Sequence, residues 1–193
     1  MSRMRIYLIA LFLPLLIVQA LALAAEPVAY ALDKERSLVG FSFDLGAENL
    51  RGNMPVESAE ISLDLNDLSQ SSARVRLDVG SAVTEAAFAT EAMLGRQVLD
   101  AQNFPEIAFE AQAFTGDLSG GKVRGTVTIR GVTRAIVLEA QVFRQRGTAE
   151  DDLSRLSVLM TGTVDRRDFG ASGFAQFVGP EIKLEILTRL TRK

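Results

Sequence analysis

Apolar residues alternate with polar ones along most of the chain, and this period constrains the fold more than any other feature. Val39, Phe41, Phe43 and Leu45 fall on one face of a segment, and Ile61, Leu63 and Leu65 on one face of the next. Val75, Leu77 and Val79 interleave with Arg74, Arg76 and Asp78, and Ile107, Phe109, Ala111 and Ala113 with Glu110 and Gln112. Val123, Val127 and Ile129 interleave with Arg124, Thr126 and Thr128. Ile136, Leu138, Ala140 and Val142 form the next run, Leu156, Val158, Met160 and Val164 another, and Ile182, Leu184 and Ile186 the last. Side chains on a strand point to opposite faces in turn, so each run predicts a half-buried strand. About eight such strands predict an all-β, antiparallel sandwich or barrel. Gly116–Gly121 predicts a hairpin, and Gly131 sits between two strands.

One segment departs from period two. Thr84 to Asp100 is alanine-rich and predicts a short helix over about 85–94. Thr84 is its candidate cap, and Glu85 suits the positive end of the dipole. An irregular connector then leads to Phe104-Pro105, and Thr148–Ser154 is a polar loop. Eight tilted strands close around side chains or around one small ligand. Gly125, Ala111, Ala113, Ala140 and Gly162 on inward faces favour a hollow interior, with the helix covering one end. A filled core with small residues beside large ones is the competing arrangement.

The N-terminus is an address. Arg3 and Arg5 precede an uncharged run from Ile6 to Ala25, and Ala22-Leu23-Ala24 is a small-residue cleavage pattern. This predicts a signal peptide over residues 1–24, an exported and periplasmic product, and one domain over 25–193. An uncleaved membrane anchor is the alternative. The 193 residues include no cysteine and no histidine. Thiol nucleophiles, histidine-based catalysis and the usual zinc and haem ligands are thereby excluded, and neither cofactor nor metal is expected. A net charge of −3 argues against nucleic acid as a partner. No catalytic constellation stands out. Asp165-Arg166-Arg167-Asp168 reads as a solvated turn with local ion pairs, although arginine also suits a ligand phosphate. Phe169-Gly170 reads as a bend that tucks an aromatic ring inward, and Arg130 and Arg134 as exposed residues beside Gly131.

Five segments together resemble the YceI-like family of bacterial lipid- or polyisoprenoid-binding proteins. They are Asp33-Lys34-Glu35-Arg36-Ser37-Leu38-Val39-Gly40-Phe41-Ser42-Phe43, Phe104-Pro105-Glu106-Ile107-Ala108-Phe109, Val127-Thr128-Ile129-Arg130-Gly131-Val132-Thr133-Arg134, Val164-Asp165-Arg166-Arg167-Asp168-Phe169-Gly170 and Val178-Gly179-Pro180-Glu181-Ile182. They occur in the family's order, from Tyr30 to the end. Arg36 stands where many members have histidine, and Val98-Leu99-Asp100 where many have Phe-Phe-Asp. The resemblance implies an extended lipocalin-like barrel with a long apolar pocket for a prenyl chain or similar amphiphile.

Candidate lining residues are Phe41, Phe43, Phe109, Ile129 and Phe169. Leu94, Val98, Leu99 and Phe104 are candidates for a mouth that admits the chain. The leading expectation is a non-enzymatic carrier or store of an isoprenoid or other long-chain amphiphilic lipid. The alternatives are a module docking on a membrane redox or transport partner, and an enzyme relying on Asp165 and Asp168.

Overall fold

The computed structural model describes residues 26–193 apart from 118, 146, 148, 150 and 151. The expected signal peptide and part of the 148–154 loop lie outside the described residues. Eleven strands and one α-helix follow in order: β1 (Val28–Leu32), β2 (Leu38–Leu45), β3 (Glu48–Asn53), β4 (Val56–Leu63), β5 (Ser72–Asp78), β6 (Val83–Thr84), α1 (Ala87–Leu94), β7 (Glu106–Asp117), β8 (Gly120–Ile129), β9 (Val132–Arg144), β10 (Arg155–Asp165) and β11 (Val178–Arg192). All pairings are antiparallel, in the order β1-β4-β5-β7-β8-β9-β10-β11, and β11 pairs back onto β1 to close eight positions. The lipocalin-like barrel expected from the sequence is therefore the fold.

Closure depends on β11 being shared. Its inner edge runs along β10 from Asp165↔Glu181 to Arg155↔Thr191. Its other edge pairs first with β2, from Val178 to Leu187, and then with β1, from Leu190 to Arg192. β3 and β6 continue the sheet beyond β2. The three strands not read from the alternation, β1, β3 and β6, are short and pair beside longer neighbours.

Alternation sorts the faces as read, with one exception. The register of β7 against β8 shifts between Ala111 and Ala113, so Gln112 is an extra residue in the strand. The bulge turns Phe114 towards the interior and takes Ala113 off that face, contrary to the uninterrupted period expected for β7. On the outer face, Arg74–Glu110 (3.1 Å), Arg76–Glu106 (2.7 Å) and Lys122–Glu139 (2.9 Å) are exposed cross-strand pairs. Each contributes at most about 1 kcal/mol, so they support register more than stability.

One end of the barrel is plugged. Tyr30, Leu63, Leu156 and Leu190 are buried together there, with Val28, Leu32 and Leu153 packed around them. The Tyr30 hydroxyl donates to the Leu153 carbonyl at 2.9 Å, and burial raises its pKa above the usual phenol value. The opposite end carries α1. The helix begins at Ala87 behind an N-cap, Ala86, whose side chain makes no capping bond. Thr84 is not the cap expected of it. It lies in β6, its N–H donates to Thr90 Oγ1 at 2.8 Å, and its hydroxyl donates to the Ala86 carbonyl at 2.8 Å. Glu85 instead accepts from the Arg51 N–H at 3.3 Å, tying the helix start to β3.

Candidate functional site

The inward faces enclose a cavity of about 620 Å³ that runs from the α1 end towards the plug. That volume is within the range of roughly 300–1,000 Å³ usual for small-molecule pockets. Its hollowness follows from side-chain size at paired positions. Gly121, Ala140, Met160 and Ile186 are successive partners on four neighbouring strands and share the inner face. The two small residues leave room beside the two large ones. Phe41 and Phe43 stack with ring centroids 6.4 Å apart and planes at 17°. The Phe41 ring lies across Gly52, where a side chain would run into it and into the Val83 carbonyl.

Seven of the nine residues singled out from the sequence come together in the wall. Phe41, Phe43, Phe109 and Ile129 come from strands, Val98 and Leu99 from the connector after α1, and Phe169 from the turn after β10. Phe169 is only 3% exposed, and Gly170 behind it has φ 70°, as its bend requires. Leu94 and Phe104 are not in the wall. Leu94 packs against the core, and the Phe104 ring lies against Gly131. Several wall residues carried no signal in the sequence: Met54, Met93, Phe114, Phe88, Phe174 and Phe177. The last two sit in Gly-Ala-Ser-Gly-Phe-Ala-Gln-Phe, where paired aromatics in a small-residue loop are the one available clue.

The mouth lies between α1 and the segment before β11. Phe88, Phe174 and Phe177 line the cavity there and remain 65%, 40% and 58% exposed. Main-chain and arginine contacts hold the rim. The Gly173 N–H donates to the Gln97 carbonyl at 2.8 Å. Arg130 Nη1 donates to the carbonyls of Val98 (2.8 Å) and Gly170 (2.7 Å), so Arg130 is a half-buried tie and not the exposed residue expected. Three non-glycine residues with left-handed backbone belong to these same segments: Asp100 (φ 52°), Arg130 (φ 51°) and Phe174 (φ 58°). For a bulky residue such as Phe174 this costs about 1–2 kcal/mol. Strain of this kind concentrates at binding sites.

The Asp165–Asp168 segment divides in two. Asp165 accepts from Arg167 Nε at 2.9 Å and Nη2 at 2.5 Å, and these bonds hold its carboxyl down to a pKa of about 2. That pair is the solvated turn expected. Arg166 is not solvated: it is buried and forms part of the cavity wall. The other polar wall residues are Thr115, Asp117, Lys122 and Thr188, the first three at the plug end. Among the described residues, no three acidic side chains converge to hold a metal ion.

The model of the YceI-like domain matches residues 30–190. No curated protein sequence matches the chain. Among solved structures, Burkholderia cenocepacia BcnA superposes with a TM-score of 0.72 at 18% identity, over 82% of this chain and 99% of that one. The Campylobacter jejuni YCEI protein gives 0.65 at 24%, over 77% and 88%. A polyisoprenoid binding domain from Saccharophagus degradans, implicated in plant cell wall breakdown, gives 0.61 at 13%, over 86% and 99%. These likenesses agree with the barrel, and the domain match spans nearly all of it: the chain belongs to the YceI-like family.

Proposed function

We propose that the protein is a non-enzymatic carrier or store for an isoprenoid lipid, exported by residues 1–24 and working in the periplasm. The observation that carries this reading is the closed barrel around an apolar cavity of about 620 Å³ with an aromatic mouth. Burial holds the tail, at roughly 25 cal/mol per Å² of apolar surface, so the hydrocarbon needs no charged grip along its length. The tail enters between α1 and the Phe174–Phe177 segment and extends towards Leu156. The polyisoprenoid-binding relative from Saccharophagus degradans supports the same class of ligand.

The test is to express the full chain with its own N-terminus in a Gram-negative host and purify it from the periplasm. Native mass spectrometry and solvent extraction follow. The expected result is a protein mass beginning at Ala25 plus a prenyl-like mass released by solvent. A clean protein mass, still without adduct after incubation with prenyl lipids, would overturn the carrier reading in favour of a docking module for a membrane redox or transport protein.

A further inference from the structure

One wall residue of the cavity carries a buried charge to which no carboxylate is bonded. Arg166 is 7% exposed, and its guanidinium is bonded only to main-chain carbonyls. Nε donates to Gly179 at 2.9 Å, Nη1 to Ala171 at 2.5 Å and Gly173 at 2.8 Å, and Nη2 to Val178 at 3.0 Å. A guanidinium has five N–H groups. The fifth, the second on Nη2, has no acceptor among the described residues. Asp165, the neighbouring carboxylate, attracts Arg166 through space but is bonded to Arg167. None of the ion pairs among the described residues includes Arg166.

Four carbonyl dipoles solvate the charge without neutralising it. A buried cation without a bonded anion is less stable than one with it, and arginine cannot escape by losing its proton. The carbonyls also fix its location: residues 171–179 are the segment that carries Phe174 and Phe177, so the charge stands just inside the mouth. Lys122 also borders the cavity, near the plug, but its side chain is on the outer face, half-exposed and paired with Glu139.

Resting on the lipid-carrier reading, we propose that Arg166 binds the polar end of the lipid, donating its open Nη2–H to an anionic oxygen of the headgroup. The headgroup then stays at the mouth and the tail fills the barrel. A phosphate oxygen suits the site best, because it also neutralises the charge; an uncharged hydroxyl or carbonyl oxygen makes the bond without doing so.

The experiment uses three probes with the same fifteen-carbon tail: farnesyl phosphate, farnesol and farnesene. Binding to the delipidated full-length product is measured by calorimetry or by displacement of a fluorescent lipid. The expected order is farnesyl phosphate, farnesol, farnesene, with at least tenfold between the first and the last. Arg166→Gln is expected to abolish that preference, with farnesyl phosphate losing the most affinity, and Arg166→Lys to keep part of it. Equal binding of all three probes by the native chain overturns the proposal and leaves the carrier reading standing. So does a native preference that persists in Arg166→Gln. Equal loss of all three probes in a folded Arg166→Gln makes Arg166 only a strap for the mouth. If no probe binds the native chain, both readings fall. Should Arg166→Gln not fold, the nitrogen NMR signals of the Arg166 guanidinium in the native chain decide. A shift with farnesyl phosphate and none with farnesene is expected, and no shift with either refutes the contact.

Discussion

Filling the cavity from its own wall separates a hollow barrel from a packed one. Ala140 lies in β9 between Gly121 and Met160 and faces inward. Ala140→Phe puts a ring into that space and adds about 100 Å² of apolar surface to be buried. At roughly 25 cal/mol per Å² this is an upper limit of about 2.5 kcal/mol in favour of folding. Incomplete burial and the rotamer entropy of the ring, about 0.5–1 kcal/mol, reduce it to a net gain of about 0–1.5 kcal/mol. In a filled core the same substitution costs about 1–3 kcal/mol through overpacking, so the two arrangements differ in sign. The assay is urea unfolding of the delipidated protein, comparing midpoints at unchanged slope. The ring also removes about 100 Å² of contact from any tail in the cavity, which lowers affinity by close to two decades. The reasoning is refuted by a folded variant that loses 1 kcal/mol or more, or by one that co-purifies with as much lipid as the native chain.

Further outcomes follow from single contacts. Phe109→Asp, with a carboxylate in the cavity wall, is expected to keep its circular dichroism spectrum and lose most of its bound lipid. Full lipid content in the folded variant contradicts the assigned wall. Gly52→Ala is expected to destabilise by about 1–3 kcal/mol, because the new methyl meets both the Phe41 ring and the Val83 carbonyl. An unchanged urea midpoint would show that Phe41 has room to move. Ser hydroxyls hold Asp67, Asp78, Asp117 and Asp152 below the usual carboxylate range, and Arg167 holds Asp165 at about 2. Lowered carboxylate pKa values contribute stability that is complete above the unfolded value, near 4, and disappears as pH falls towards 2. With no histidine in the chain, stability is expected to be flat from pH 5 to 7 and to fall below 4. A urea midpoint that shifts between pH 5 and 7 contradicts this.

Period two made the barrel legible because eight strands each have one wet and one dry face, as in Ile182, Leu184 and Ile186. It missed β3, Glu-Asn-Leu-Arg-Gly-Asn, because its single apolar residue shows no period and its pairing is supplied by β2 and β6. It also missed the β7 bulge, since an inserted residue leaves local composition unchanged while reversing every side chain after it. Strand residues of the cavity wall, such as Phe41 and Phe109, were readable for the same reason as the strands. The mouth was less so. Whether Leu94 or Met93 faces the cavity depends on the roll of a two-turn helix, and Phe104 was drawn to Gly131 by a turn that only the folded chain assembles. Arg166 and Arg167 are adjacent and chemically identical. Which one is buried is decided by carbonyls five to thirteen residues away, and no local pattern records that.

The shared strand β11 also governs when the molecule acquires an inside. Its partners on one edge lie between Tyr30 and Leu45, at the other end of the chain. Contacts so distant in sequence make folding slow, because the loop must close before the pairing repays it. Until β11 has been made, β1, β4, β5 and β7 to β10 form at most an open, curved sheet with an apolar concave face and two bare edges, and β2, β3 and β6 have nothing to join them to it. A chain stopped before Val178 therefore exposes what the finished protein hides, and it is the form most exposed to aggregation and proteolysis. The barrel encloses a cavity only after β11 has docked beside β1 and β2.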